Sequence, residues 1–168
     1  MIKRLVVLAW FCLAALPPVL FSAESGWVPL FDGKTLEGWK AGENAATFRV
    51  EDGCIVAHGA QAHLFYVGGV ANADFKNFAF QAEVRAGAGA NSGIYFHSAF
   101  QESGWPARGF EVLINNSAQR HGDYLELKKT GSLYGIRNIY KQLVPDDTWF
   151  TLHITVQGQR VWVRLNDT

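Results

Sequence analysis

Beyond residue 25, apolar and polar positions alternate with a period of two, and no stretch keeps a helical period. Phe78, Phe80, Ala82 and Val84 alternate with Ala79, Gln81, Glu83 and Arg85. Phe150, Leu152, Ile154 and Val156 alternate with Trp149, Thr151, His153 and Thr155. A turn at Gly158 then sends the chain back through Val161, Val163 and Leu165, opposed by Trp162, Arg164 and Asn166. Shorter strands are predicted at 47–50 and 54–57, joined by Glu51-Asp52-Gly53, where Asp-Gly is a tight-hairpin signal. Another is predicted at 63–67, ahead of Gly68-Gly69. Short strands punctuated by glycine-rich turns predict an all-β chain, an antiparallel sandwich.

Residues 91–116, NSGIYFHSAFQESGWPARGFEVLINN, predict two more strands around a loop carrying Trp105-Pro106. Side chains two apart in a strand share a face, so Ile94 and Phe96 oppose Tyr95 and His97. On the second strand Phe110, Val112 and Ile114 form the apolar set, and Glu111, Leu113 and Asn115 take the other face. Pairing the two strands is expected to bring a carboxylate, an imidazole and a phenol onto one solvated surface.

Lys3 and Arg4, the apolar run 5–16, Pro17-Pro18 and the small residues Ser22, Ala23 and Ser25 follow the order of a secretory signal. The run is shorter than the roughly 20 residues of a membrane span. Residues 1–25 are therefore read as a signal peptide and 26–168 as one domain, with no membrane association after cleavage. Outside the signal Cys54 is the one cysteine, expected to be a small buried residue, so no internal disulfide supports the fold. Zero formal net charge argues against a nucleic-acid partner. The chain stops at Leu165-Asn166-Asp167-Thr168, which reads as the start of another turn, so the domain is expected to be incomplete at its C-terminus.

Seven blocks occur in one order: LFDGKTLEGWK, FRVEDGCIVAHG, DFKNFAFQAEVRA, NSGIYFH, GFEVLINN, KTGSLYGIRNIYK and DTWFTLHITVQGQRVWVRLND. Together they resemble the DUF1080 family, the 3-keto-disaccharide hydrolase domain. The resemblance implies a concanavalin-like jelly-roll sandwich and export from a bacterial cell, to the periplasm or beyond. It also implies hydrolysis of disaccharides or glycosides oxidised at the sugar's C3. The alternative class is a non-catalytic carbohydrate-binding sandwich. Three departures stand out: Leu113 where the family carries Gln, His97 where it more often has Arg, and further strands in the family beyond the LND turn.

Within that frame Glu111 is the first choice for acid–base work, because a partly enclosed carboxylate can have its pKa raised toward proton donation. His97 is the second catalytic candidate. Tyr95, Trp105, Asn115, Tyr134, Arg137 and Lys141 are the expected substrate-binding groups, Trp105 as a stacking platform and the others through hydroxyl hydrogen bonds. Ordinary glycosidases use two carboxylates about 5–9 Å apart; Asp74, Glu83, Asp123 and Glu126 are available, and spacing selects none. A 3-keto sugar offers another route, abstraction of the C2 proton by one base followed by elimination and addition of water. His121-Gly122-Asp123 could hold a metal only with a third ligand, and no cluster has metal spacing, so no cofactor is expected and a divalent metal is left open. His58, His63 and His153 are read as structural.

Overall fold

The structure is a computed structural model that describes residues 26–118, 120, 121 and 123–168; the side chain of His121 is outside that description. The expected signal at 1–25 and most of the His121-Gly122-Asp123 signal therefore lie outside the described residues.

The fold is all-β and antiparallel, as the alternation predicts. Its strands are β1 (Trp39–Ala41), β2 (Phe48–Glu51), β3 (Cys54–Ala57), β4 (Leu64–Tyr66), β5 (Phe78–Arg85), β6 (Ser92–Phe96), β7 (Phe110–Ile114), β8 (Arg120–His121), β9 (Tyr124–Leu125), β10 (Trp149–Gln157) and β11 (Arg160–Leu165). Among the described residues the helical pieces are two short 3₁₀ turns, Ala45–Thr47 and Val70–Ala73. No helix among the described residues is long and apolar enough to cross a membrane.

One layer is the sheet β11-β10-β5, in which Ile154 sits opposite both Phe80 and Val163. Phe150, Leu152, Ile154 and Val156 all turn inward and are at most 2% exposed. They meet Phe96, Val112 and Ile114 from the β6–β7 ribbon, which forms the facing layer. Burying each such side chain contributes roughly 1.5–3 kcal/mol before chain entropy is subtracted. The β2–β3 hairpin turns through Asp52 and Gly53, both at positive φ (49° and 76°), the conformation that the Asp-Gly pair signals. Cys54 carries a free thiol but is only half-buried, since the β2–β3 ribbon lies outside the main core.

The second edge of β7 is also paired. Leu113 N–H donates to Ser132 O, Gly131 N–H to Leu113 O, and Tyr134 N–H to Glu111 O, with Val112 bridged to Leu133. The segment running from Thr130 to Tyr134 thus continues the β6–β7 ribbon as a third, irregular strand. This addition decides what the polar face of β7 looks like.

Candidate functional site

The face of β7 away from the core divides into a closed end and an open end. Leu113 and Asn115, expected on a solvated surface, are 2% and 0% exposed. Chain from Glu126 onward folds against that end: Asn115 Nδ2 donates to Lys128 O at 2.8 Å, and Thr130 Oγ1 accepts from the Asn115 N–H at 2.9 Å. Asn115 is therefore a buried anchor for this segment, and the geometry does not offer its amide to a ligand. Its Oδ1 is buried without a partner among the described residues.

Glu111 occupies the open end. In the β6–β7 register it lies directly across from Tyr95, whose hydroxyl donates to Glu111 Oε2 at 3.0 Å. On the neighbouring strand Gly93 leaves room for the carboxylate to lie flat. A Cβ built there would come within 2.7 Å of Glu111 Cγ and 2.9 Å of Cδ, and closer still to Oε1. Burial pushes the Glu111 carboxyl above its ordinary range; the Tyr95 hydrogen bond opposes this and the charge of Glu126 adds to it. The Tyr95 phenol is raised as well, by burial first and then by the adjoining Glu111 charge.

Tyr134 flanks Glu111 on the other side, since its N–H bonds the Glu111 carbonyl. Its hydroxyl lies 2.7 Å from that of Tyr124, and Lys128 Nζ stands 3.4 Å from the same hydroxyl and 4.4 Å over the ring. Glu126 ties this group together. It is 1% exposed and accepts from Tyr124 Oη (2.9 Å), the Lys128 N–H (2.8 Å) and Lys128 Nζ (3.3 Å). Burial alone raises the Glu126 carboxyl, but these donors together outweigh it and hold the group below its usual range. Glu126 is thus the carboxylate electrostatically coupled to Glu111, yet it is a fixed, fully engaged anion.

His97 does not share the Glu111 face. β6 ends at Phe96, and His97 takes a left-handed φ of 54°, which breaks the alternation that placed it beside Tyr95. Its ring sits against Phe78, Phe96 and Phe110 on the core-facing side, and Nε2 is 3.0 Å from Lys76 O. The expected Glu111–His97 pairing is corrected accordingly. Phe96 and Phe110 stack at 5.4 Å beneath it, and Gly109 (φ 107°) permits the chains to meet there: a Cβ would lie 2.6 Å from Phe96 O.

A different histidine approaches. His63, just ahead of β4, packs edge-on against Tyr95 at 5.7 Å and against Trp105 at 5.2 Å. Arg137 is exposed on the turn after Tyr134, where it pairs through its backbone with Leu133, and Lys141 is exposed farther on, past Ile139, which runs back beside Lys129 and Ser132. The site thus gathers Glu111, Tyr95, Tyr134 and, through His63, Trp105. The sequence pointed to neither Lys128 nor Tyr124 and treated His63 as structural. It offered Glu126 as one acid among four, because the tight fold that turns Tyr124 and Lys128 onto its carboxylate is irregular chain with no periodic signal. Among the described residues no three His, Cys, Asp or Glu side chains gather as a metal-binding set. Chemically, the arrangement offers one half-buried carboxyl of raised pKa with a phenol and an ammonium beside it.

The family model of the 3-keto-alpha-glucoside-1,2-lyase-like domain matches residues 26–168. Over 78 residues the chain is 33% identical to a 3-keto-disaccharide hydrolase of Bacteroides thetaiotaomicron, covering 42% of this chain and 27% of that protein. The chain's match thus spans about a quarter of that relative's length. The fold is similar to the crystal structure of an inferred glycosyl hydrolase from Parabacteroides distasonis. That match has a TM-score of 0.67 at 26% identity and covers 83% of this chain and 67% of that one. The match along residues 26–168, on an antiparallel sandwich of the same shape, shows that this chain belongs to the 3-keto-alpha-glucoside-1,2-lyase-like domain family.

Proposed function

We propose that the chain cleaves the glycosidic bond of 3-keto-disaccharides or 3-keto-glycosides, with Glu111 as the group that moves the proton. The single observation carrying this reading is the half-buried Glu111 carboxylate, raised in pKa and laid over Gly93 by Tyr95. A base of raised pKa is the stronger proton acceptor once ionised. A two-carboxylate route is disfavoured because the coupled acid, Glu126, is 1% exposed with its oxygens already engaged.

One base suffices for a 3-keto sugar. The ketone acidifies the C2 hydrogen, and Glu111 removes it as negative charge develops on the ketone oxygen. The C1–O bond then breaks as C1=C2 forms, and the departing alkoxide takes up a proton. Water adds its hydroxyl to C1 and a proton returns to C2, so atoms and charge balance. The Lys128 ammonium, which donates to Glu126 and to the Tyr134 hydroxyl and keeps a third N–H, is the donor offered to the developing oxyanion, with Arg137 on the turn beyond Tyr134. The basic, apolar and small-residue order of residues 1–25 supports action in the periplasm or outside the cell.

A second reading, sugar binding without catalysis, is favoured by one observation, the 61% exposed Trp105. Incubation with a panel of 3-keto-disaccharides, with and without chelator, separates the two. The wild type should release free sugar, and Glu111→Gln should lose at least about 10²-fold in turnover while binding sugar normally. Sugar binding with no release from any member of the panel would leave the binding module standing instead.

A further inference from the structure

Trp105 is a large apolar side chain left 61% exposed, yet it is not on a slack loop. Gln101 Nε2 donates to Trp105 O (2.7 Å) and Ser103 O (2.8 Å), and its Oε1 accepts from the Ala107 N–H (2.9 Å). Glu43, just past β1, accepts the Gly104 N–H at 2.9 Å. The loop lies directly on Gly42, where a Cβ would meet Gln101 O at 2.9 Å, and the Gly42 N–H bonds His63 O at 3.1 Å. The ring is thus fixed from both sides while its surface stays open.

The neighbours of Trp105 form a continuous row. His63 is edge-on to Trp105, then edge-on to Tyr95, which in turn holds Glu111. We propose that Trp105, His63 and Glu43 form a second sugar subsite, one that receives the leaving sugar of a disaccharide while the oxidised ring lies over Tyr95 and Glu111. This rests on the carbohydrate reading above and narrows it: the substrate is a disaccharide, and the unoxidised residue supplies binding energy. Aromatic faces stack on the C–H faces of pyranoses, and a carboxylate beside an imidazole presents acceptors and a donor to ring hydroxyls. Burial lowers the His63 pKa against the pull of Glu43, which favours a neutral ring able both to donate and to accept.

The test reads binding directly, without turnover. In the full chain carrying Glu111→Gln, to suppress turnover, the Trp105 indole N–H is followed by ¹H–¹⁵N NMR during titration with 3-keto-disaccharides of several linkages and with methyl 3-keto-glucoside, whose oxidised ring fills the Glu111 end alone. At least one disaccharide should move that signal and bind more tightly than methyl 3-keto-glucoside. Adding Trp105→Ala should weaken the disaccharide on the order of tenfold and leave methyl 3-keto-glucoside unchanged. Trp105→Phe should keep most of the preference, and circular dichroism should show both variants folded. An indole signal that no disaccharide moves, or a Trp105→Ala variant that keeps the preference or loses both ligands equally, overturns the subsite. Intact disaccharide binding at Trp105 without cleavage of any 3-keto sugar by the wild type would instead remove the catalytic reading and leave the subsite in place.

Discussion

Replacing Gly93 by Ala isolates the contact that sets the position of Glu111. The glycine is not at positive φ, so alanine meets no backbone penalty there, and in a strand interior it should gain about 0.5 kcal/mol from reduced chain entropy. Against this, the new Cβ would stand 2.7 Å from Glu111 Cγ and 2.9 Å from Cδ. The obstruction is a flexible side chain, so Glu111 should swing away and leave the strands in place. Swinging away breaks the 3.0 Å bond from Tyr95. A hydrogen bond to a charged group is worth about 1.5–3 kcal/mol, and the open side of the site lets water recover part of it. The net cost should be about 1–2 kcal/mol by urea denaturation, with a loss of about 10²-fold in turnover because the base is misplaced. In a Glu111→Ala background the atoms that clash are gone, and Gly93→Ala should become neutral or slightly stabilising. The coupling energy of this double-mutant cycle should therefore approach 2 kcal/mol. Additive effects of the two substitutions would refute the placement of Glu111 over Gly93.

Three further outcomes follow from the same geometry. A carboxyl whose folded pKa is raised adds stability that is complete below the unfolded value of 4.5 and is lost as pH rises through the folded pKa. Glu111→Gln should accordingly gain stability over the wild type at pH 7 but not at pH 4, as read by thermal unfolding across pH. Glu126 has the opposite sign: its folded pKa is lowered, so its contribution is present above 4.5 and fades as pH falls through the folded value. Glu126→Gln should cost about 1–3 kcal/mol at neutral pH and, by removing a nearby anion, shift the Glu111 titration downward in carboxyl ¹³C NMR. In the core, Leu152→Ala should cost about 3 kcal/mol with the site chemistry unchanged, because Leu152 is 0% exposed at the centre of the β10 layer.

The strands that carry the fold were legible because their side chains obey a local period. β5 and β10 alternate in burial along their whole length, and the Asp52-Gly53 turn announced the β2–β3 hairpin. Glu111 and Tyr95 were legible as a pair for the same reason, since antiparallel strands with opposite-face patterns bring such residues across from each other. Local period failed where the chain leaves regular geometry or where distant chain arrives. His97 turned aside at a left-handed φ that alternation cannot foresee. Leu113 and Asn115 were covered by the segment after Glu126, which pairs with β7 through backbone groups common to every residue type. His63 reaches Tyr95 from just ahead of β4, more than thirty positions earlier, and no spacing rule links them. The proposed substrate class came from the resemblance to a known family, since no periodicity carries it.

The account turns on whether Glu111 moves the proton at C2. Turnover of a 3-keto-disaccharide in deuterated water, sampled early against an enzyme-free control, reads this directly. The released keto sugar should carry deuterium at C2 with the wild type, at a rate matching bond cleavage, and Glu111→Gln should abolish both together. Cleavage that leaves the original hydrogen at C2, or that persists undiminished without the Glu111 carboxylate, would contradict it.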